Sequence, residues 1–311
     1  MTDYIRQHGN TLEFNSGSSW VILNSIEKSI KEKIEKVGVP LKDWDISINY
    51  GIKTGCNEAF IIDKIKRDEL ISKDRKSAEI IRPILRGRDI KRYGYEFAEQ
   101  YVILAYYGSH KIIPMQYPAV FNHLNQYEKK LRNRGQCHYT SNGKPNQNAD
   151  FPGQHHWLEL DNNPRQNYLD DFSKQKIIFQ EMVQEPSFIY DKDGKYFCLD
   201  TARIITGNNI DYLISILNSK LFFFAIKTFY GGGGLGESGV RMKHTFFECF
   251  PCLVLDEKSK QILINLSKSA IKNIKKEGFN AIDNQINDFI YGLYGISEEE
   301  IKEIDEKIMY K

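Results

Sequence analysis

An α+β fold is predicted for this chain, a mixed sheet flanked by N- and C-terminal helices, on three observations. Residues 20–37 and the stretch beyond 257 space their apolar side chains by three and four, as amphipathic helices do. From about residue 46 the pattern changes to short β-prone runs bounded by turn-forming residues. Aromatic residues reach 13%, with 18 Tyr and 18 Phe, a content that suits sheets and binding faces. At 311 residues the chain is long enough for two ordinary domains, or for one large domain with a helical appendage. The expected division is a helical connector over residues 1–45, a mixed-sheet domain over 46–254 and a helical region over 255–311.

The first helix carries Ile22, Ile26, Ile30, Ile34 and Val37 on one stripe, and Gly38 and Pro40 end it. The runs ISINY, AFIID, YVILAYY, KIIFQEM, FIYD, YFCLD and ARIIT read as strands. Between FIYD and YFCLD, Asp193-Gly194 supplies residues that tolerate positive φ, which predicts a hairpin. The segment GIKTGCNEAF, residues 51–60, reads as a glycine-bounded loop between two strands that presents Lys53, Thr54 and Asn57. A helix is expected from Pro118 to about Gly135. The polar stretch from Gly135 to Pro164 is a long surface excursion. The segment from Asp211 to Phe229 is apolar on nearly every face, so a helix buried against the sheet is expected there. Residues 257–277 and 280–309 form a helical tail.

Net charge is only +2, so affinity for a polyanion has to come from local patches. Five cysteines with no regular spacing indicate reduced thiols and not a disulfide framework. The start, MTDYIRQHGN, places Asp3 and Arg6 where a secretory signal needs apolar residues. The most apolar run, Leu221 to Ile226, is flanked by Lys220 and Lys227 and is far shorter than the roughly 20 residues that span a bilayer. A cytoplasmic chain without a membrane span is expected.

Catalytic signatures lack their context. The glycine-rich stretch FYGGGGLGESG, residues 229–239, matches cofactor-loop patterns, but such loops leave a strand and open a helix, whereas this one follows a long helix. Five Asp-x-Lys matches, at Asp74, Asp89, Asp193, Asp256 and Asp305, are what chance gives in a chain with 27% charged residues. Seven histidines form no HExxH, and no GxSxG is present. CFPC, Cys249 to Cys252, has no second pair to complete a zinc ribbon.

What stands out is basic. The run IIRPILRGRDIKRYGY holds Arg82, Arg86, Arg88, Lys91 and Arg92 against one acid, Asp89. Such a run suits a phosphate-binding edge, each contact releasing counterions. Lys129, Lys130, Arg132 and Arg134 form a second cluster, and Arg241, Lys243 and His244 a third. Arginine is also the better base reader, because its fork pairs with both guanine acceptors in the major groove.

The segments INYGIKTGCNEAFIID and SAEIIRPILRGRDIKRY, followed by YPAVFNHLNQYEKKLRNR, KIIFQE, FIYDKDGKYFCLDTARIIT, YLISILNSKLFFF, FFECFP and LYGISEEEI, resemble the TaqI-like C-terminal specificity domain of type IIG restriction-modification enzymes and adenine-specific DNA methyltransferases. The resemblance runs from about residue 20 to 311. It implies a mixed-sheet target-recognition domain similar to those of type I specificity subunits. Such a domain binds double-stranded DNA while a methyltransferase domain or subunit outside these residues acts on adenine.

No cofactor is expected for this chain itself; S-adenosylmethionine, and Mg for any nuclease, are expected in the complete enzyme. No catalytic or metal-binding residue is expected here. Arg86, Arg88, Lys91 and Arg92 are the expected backbone contacts, with Lys53, Thr54, Asn57, Arg241 and Lys243 also near DNA. Two other readings stay open: a methyltransferase or endonuclease with an unrecognised site, and a protein-interaction module that binds no DNA.

Overall fold

The computed structural model describes residues 23–162, 164–231 and 239–308. It is α+β, with sheets of mixed direction, as the sequence predicts. The chain forms two compact units. One comprises Ser47–Glu181 and Phe188–Ile210; the other takes residues up to Ile46, Met182–Ser187 and everything from Asp211.

The first of these, the sheet unit, is built on two four-stranded sheets. One has the order Phe188–Asp191, Lys176–Gln180, Ala202–Gly207, Ile46–Tyr50. Lys176–Gln180 pairs antiparallel with both Phe188–Asp191 and Ala202–Gly207, so that Ile178 faces Ile189 on one side and Ile204 on the other. The other has the order Phe197–Cys198, Ile81–Leu85, Gln100–Ile103, Ile61–Asp63. Its first pair is parallel and the other two are antiparallel. Ile62, Ile84, Val102, Ile178, Phe197 and Ile204 join one buried core.

The strands Phe188–Asp191 and Phe197–Cys198 therefore belong to different sheets, and the expected hairpin between them does not form. The turn itself matches the expectation: Gly194 has φ 62°. What redirects the chain is Asp191, whose carboxylate accepts the backbone N–H groups of Lys195 and Tyr196 and the ammonium of Lys176 at 2.7 Å. Those bonds fold the turn over one carboxylate, and the second strand leaves to pair with Ile84 and Leu85. Two further departures are local. Ala59 and Phe60 close a helical turn, Asn57–Phe60, so the strand starts at Ile61. The helix from Pro118 breaks after Asn125 and resumes at Glu128–Arg132.

The helical unit starts with Ser25–Val37. Asn24 caps it reciprocally: its side chain accepts from the Glu27 amide at 2.8 Å, and the Glu27 carboxylate accepts from the Asn24 amide at 2.7 Å. Ile30 and Ile34 of the predicted stripe are fully buried, whereas Ile22 lies outside the described residues. Val39–Pro40 then pairs with Pro251–Cys252.

The apolar segment from residue 210 is two helices, Ile210–Leu217 and Lys220–Ala225, continued by a wider turn over Ile226–Tyr230 and bent by 64° at the break. Ser219 sits at the break and caps the second helix by accepting from the Phe222 amide. Its partners within the unit are C-terminal helices: Ser215 donates to the Leu263 carbonyl, and Lys220 pairs with Asp305 at 2.7 Å. The tail is three helices, Glu257–Asn273, Phe279–Tyr294 and Glu298–Ile308, because Gly295, at φ 67°, ends the second. Among the described residues no single helix is long and apolar enough to cross a membrane.

Candidate nucleic-acid interface

The basic run folds as a strand, Ile81–Leu85, a tight turn over Gly87–Asp89, and a two-strand ribbon, Ile90–Lys91 with Gly94–Tyr95. In the ribbon strand Ile90 faces inward and Lys91 outward, as strand alternation requires, while Arg88 and Tyr93 take their directions from the turns on either side. Ile90 and Tyr93 point inward and are buried, and Tyr93, at φ 59°, donates its amide to the Phe188 carbonyl. Arg88 and Lys91 point outward, exposed, and neither makes an ion pair among the described residues. Arg92 is half-buried, its guanidinium 5.9 Å from the Tyr93 ring.

Arg86 has a different role. Its fork closes on Asp89 at 2.7 Å from Nη2 to Oδ1 and 2.9 Å from Nε to Oδ2, and the Arg86 amide donates to the same carboxylate. The Asp89 hydrogen bond outweighs partial burial and raises the Arg86 pKa, so this arginine is charged and committed. The adjoining Gly87 sits on Thr201, its amide donating to the Thr201 hydroxyl at 3.1 Å.

The segment Cys198–Ala202 also seats the glycine-bounded loop. Ile52 donates to the Cys198 carbonyl at 2.7 Å, Gly51 donates to the Ala202 carbonyl, and Leu199 donates to the Leu85 carbonyl. A Cβ on Gly51 would lie 2.0 Å from the Leu199 oxygen, so glycine is required at this approach. Folding of the sheet unit therefore brings the Arg86–Gly87 turn and the extended Gly51–Ile52 segment, which bridges Leu199, to one stretch of backbone that is far from both in sequence.

Within the loop, Thr54 is buried. Its hydroxyl donates to Asn57 Oδ1 at 2.6 Å and accepts from the Cys56 amide. Asn57 is exposed, and Lys53 reaches Asp161 at 3.4 Å. Arg134, from the second basic cluster, is buried and donates to the carbonyls of Thr54, Leu131, Trp157 and Glu159. It ties the loop to the excursion. Lys130 pairs with Glu58 and Arg132 with Glu128 at the surface, so of that cluster only Arg134 is buried. Arg241 is exposed and Lys243 half-buried; both belong to the helical unit.

The excursion is anchored by charge as well. His155, fully buried, contacts Asp161 at 3.1 Å and lies 3.7 Å from the Cys137 sulfur. Burial opposes its protonation, but the bonds to Asp161, Cys137 and the His156 carbonyl prevail and raise its pKa to about 9. His156, half-buried with His110 stacked on it at 4.5 Å, is pushed down to about 4 by desolvation and by the neighbouring His110.

Two exposed residues lie outside the site residues expected from the sequence. Lys195 lies 5.0 Å over Tyr196, which in turn packs on Tyr95 of the ribbon at 4.8 Å. Lys195 thus flanks the basic ribbon, although in sequence it reads only as part of a turn. Tyr50, more than half exposed at the end of its strand, is the other.

Among the described residues no group of three or more His, Cys, Asp or Glu is arranged to hold a metal. Four of the five Asp-x-Lys carboxylates serve the fold: Asp74 and Asp256 cap helical turns, Asp89 grips Arg86 and Asp305 pairs with Lys220. The glycine-rich stretch lies largely outside the described residues. The chain enters it from the helical turn Ile226–Tyr230 and leaves it into the strand Val240–Arg241, the reverse of the order a cofactor loop needs.

Residues 82–252, more than half of the chain, match the TaqI-like C-terminal specificity domain. The chain belongs to that family. The type IIL restriction-modification enzyme MmeI, solved in complex with DNA, shares the fold of the specificity domain with a TM-score of 0.57 at 11% identity, over 87% of this chain and 36% of that one. The type IIG restriction endonuclease BpuSI gives a TM-score of 0.50 at 13% identity, over 92% of this chain and 32% of that one. The chain thus spans about a third of the length of either enzyme. No curated protein matches it in sequence.

Proposed function

We propose that this chain reads double-stranded DNA for a restriction-modification enzyme and that the chemistry is done outside it. The observation that carries the reading is the sorting of the basic run: the ribbon buries Ile90 and Tyr93, fixes Arg86 on Asp89, and leaves Arg88 and Lys91 exposed without internal counter-ions among the described residues. Cations presented from a rigid ribbon, with Lys195 beside them, suit the phosphate backbone, where each contact displaces condensed counterions. Membership in a specificity-domain family, and the DNA-bound state of MmeI, support the same role.

In this reading an adenine-specific methyltransferase domain or subunit, with its S-adenosylmethionine, is the partner, and Mg accompanies any nuclease. The complex works in the cytoplasm. Arg88, Lys91 and Arg92 hold the backbone, Arg86 shapes the turn they sit on, and Lys53 and Asn57 lie on a loop seated on the same backbone stretch. Arg241 and Lys243 add contacts from the helical unit. Selection from random duplexes by gel shift, repeated at two salt concentrations, tests it: an enriched sequence with salt-sensitive affinity is expected. Salt-independent retention of all duplexes alike, or none retained, overturns it.

A further inference from the structure

A cleft of about 360 Å³ opens in the sheet unit beside the glycine-bounded loop, with Tyr50, Lys53, Asn162, Arg165, Asn167 and Tyr168 among its walls. Its size is within the range of small-ligand sites. Tyr50, 53% exposed, is one of the walls of this cleft. The ring is nonetheless fixed. The buried Arg203 places its guanidinium 4.2 Å from the ring centroid and is itself held toward Glu181. The Tyr168 hydroxyl donates to the Tyr50 carbonyl, and the close approach at Gly51 fixes the floor.

Around this platform stand groups of one chemical kind of use. Asn162 and Asn167 are exposed and offer amides, able to donate and accept toward a base edge. Arg165 is exposed and makes no ion pair among the described residues; Lys53 is half exposed. Asp161 also lines the cleft, its carboxylate paired with Lys53 and bonded to His155 and Gln136, which offsets its charge toward an anion. A flat ring for stacking, amides at its edge and cations at the mouth match a nucleotide whose base has left its stack; a base inside a duplex has no free face to offer.

We propose that this cleft receives one unstacked base of the bound DNA, with its phosphate on Arg165 and Lys53. The proposal rests on the DNA-reading function above and adds a second, separate contact to it. The test compares a labelled duplex with the same duplex carrying one unpaired thymidine, by fluorescence anisotropy, on the whole chain. Stacking on an aromatic side chain is expected to tighten binding of the bulged duplex on the order of tenfold. Tyr50→Ala is expected to abolish that preference and leave paired-duplex affinity in place, Tyr50→Phe to keep it, and Arg165→Ala, at an exposed site, to reduce it severalfold.

Equal affinity for both duplexes, or a Tyr50→Ala loss that is the same for both, overturns the cleft while leaving DNA reading intact. Bulge preference with no binding of the paired duplex supports the cleft and overturns the duplex reading instead. If neither duplex is bound, both fail. Tyr50-dependent binding of free thymidine monophosphate without any bulge preference reassigns the cleft to a free nucleotide and overturns the proposal.

Discussion

Arg86 and Asp89, three residues apart, close a two-point ion pair at 2.7 and 2.9 Å around the turn that aims Arg88 at solvent. Asp89 is the one acid in the basic run, and it is buried. It does not dilute the positive edge so much as organise it. One cation is held inside so that its neighbours are presented in a fixed direction.

Arg86→Ala should therefore act on stability first. It leaves the Asp89 carboxylate with only the Arg86 amide, and the cost expected for a buried acceptor stripped of a charged partner is about 1–3 kcal/mol. Urea denaturation reads it. A stability equal to that of the native chain, with DNA binding lost, would make Arg86 a direct contact.

The buried pair Lys176–Asp191 sets the point where the chain passes from one sheet to the other. Lys176 is fully buried, and burial is the main influence lowering its pKa, against the attraction of Asp191. Lys176→Met abandons a buried carboxylate, and a loss of about 3–5 kcal/mol is expected in chemical denaturation. A loss below about 1 kcal/mol would show that the backbone amides of Lys195 and Tyr196 satisfy Asp191 alone.

His155 gives the excursion a pH dependence. Its folded pKa, about 9, lies above the ordinary histidine value, so its contribution is complete below about pH 6.5 and is lost as pH rises through 9. The whole effect is at most on the order of 3 kcal/mol. Thermal melts from about pH 6 to 9 should show stability falling across that window, and His155→Gln should flatten the fall. An unchanged slope in the variant would place the titration elsewhere.

The helices and strands are legible where periodicity and caps coincide, as in Ser25–Val37 with its Asn24 cap and in Lys176–Gln180 with its unbroken apolar run. The Asp193-Gly194 turn is legible too, but not the pairing on either side of it. A turn signal is local, whereas pairing here depends on Asp191 meeting Lys176 and on Leu85 being free to accept the incoming strand. Basic character is visible in the sequence, but its sorting is not: Arg86, Arg88 and Arg134 look alike until burial shows that Arg134 serves four backbone carbonyls. Tyr50 falls inside a segment that carries the family resemblance, but nothing local singles it out, because its contact with Arg203 and its place in the cleft depend on the tertiary fold.

The central claim is that Arg88 and Lys91 hold the DNA backbone, and the salt dependence of duplex binding tests it most directly. For Arg88→Ala/Lys91→Ala, affinity should fall for every duplex and the slope of log affinity against log salt should flatten by about 1–2, roughly 0.9 for each phosphate no longer neutralised, with folding stability unchanged. A slope identical to that of the native chain, at equal stability, would contradict the account.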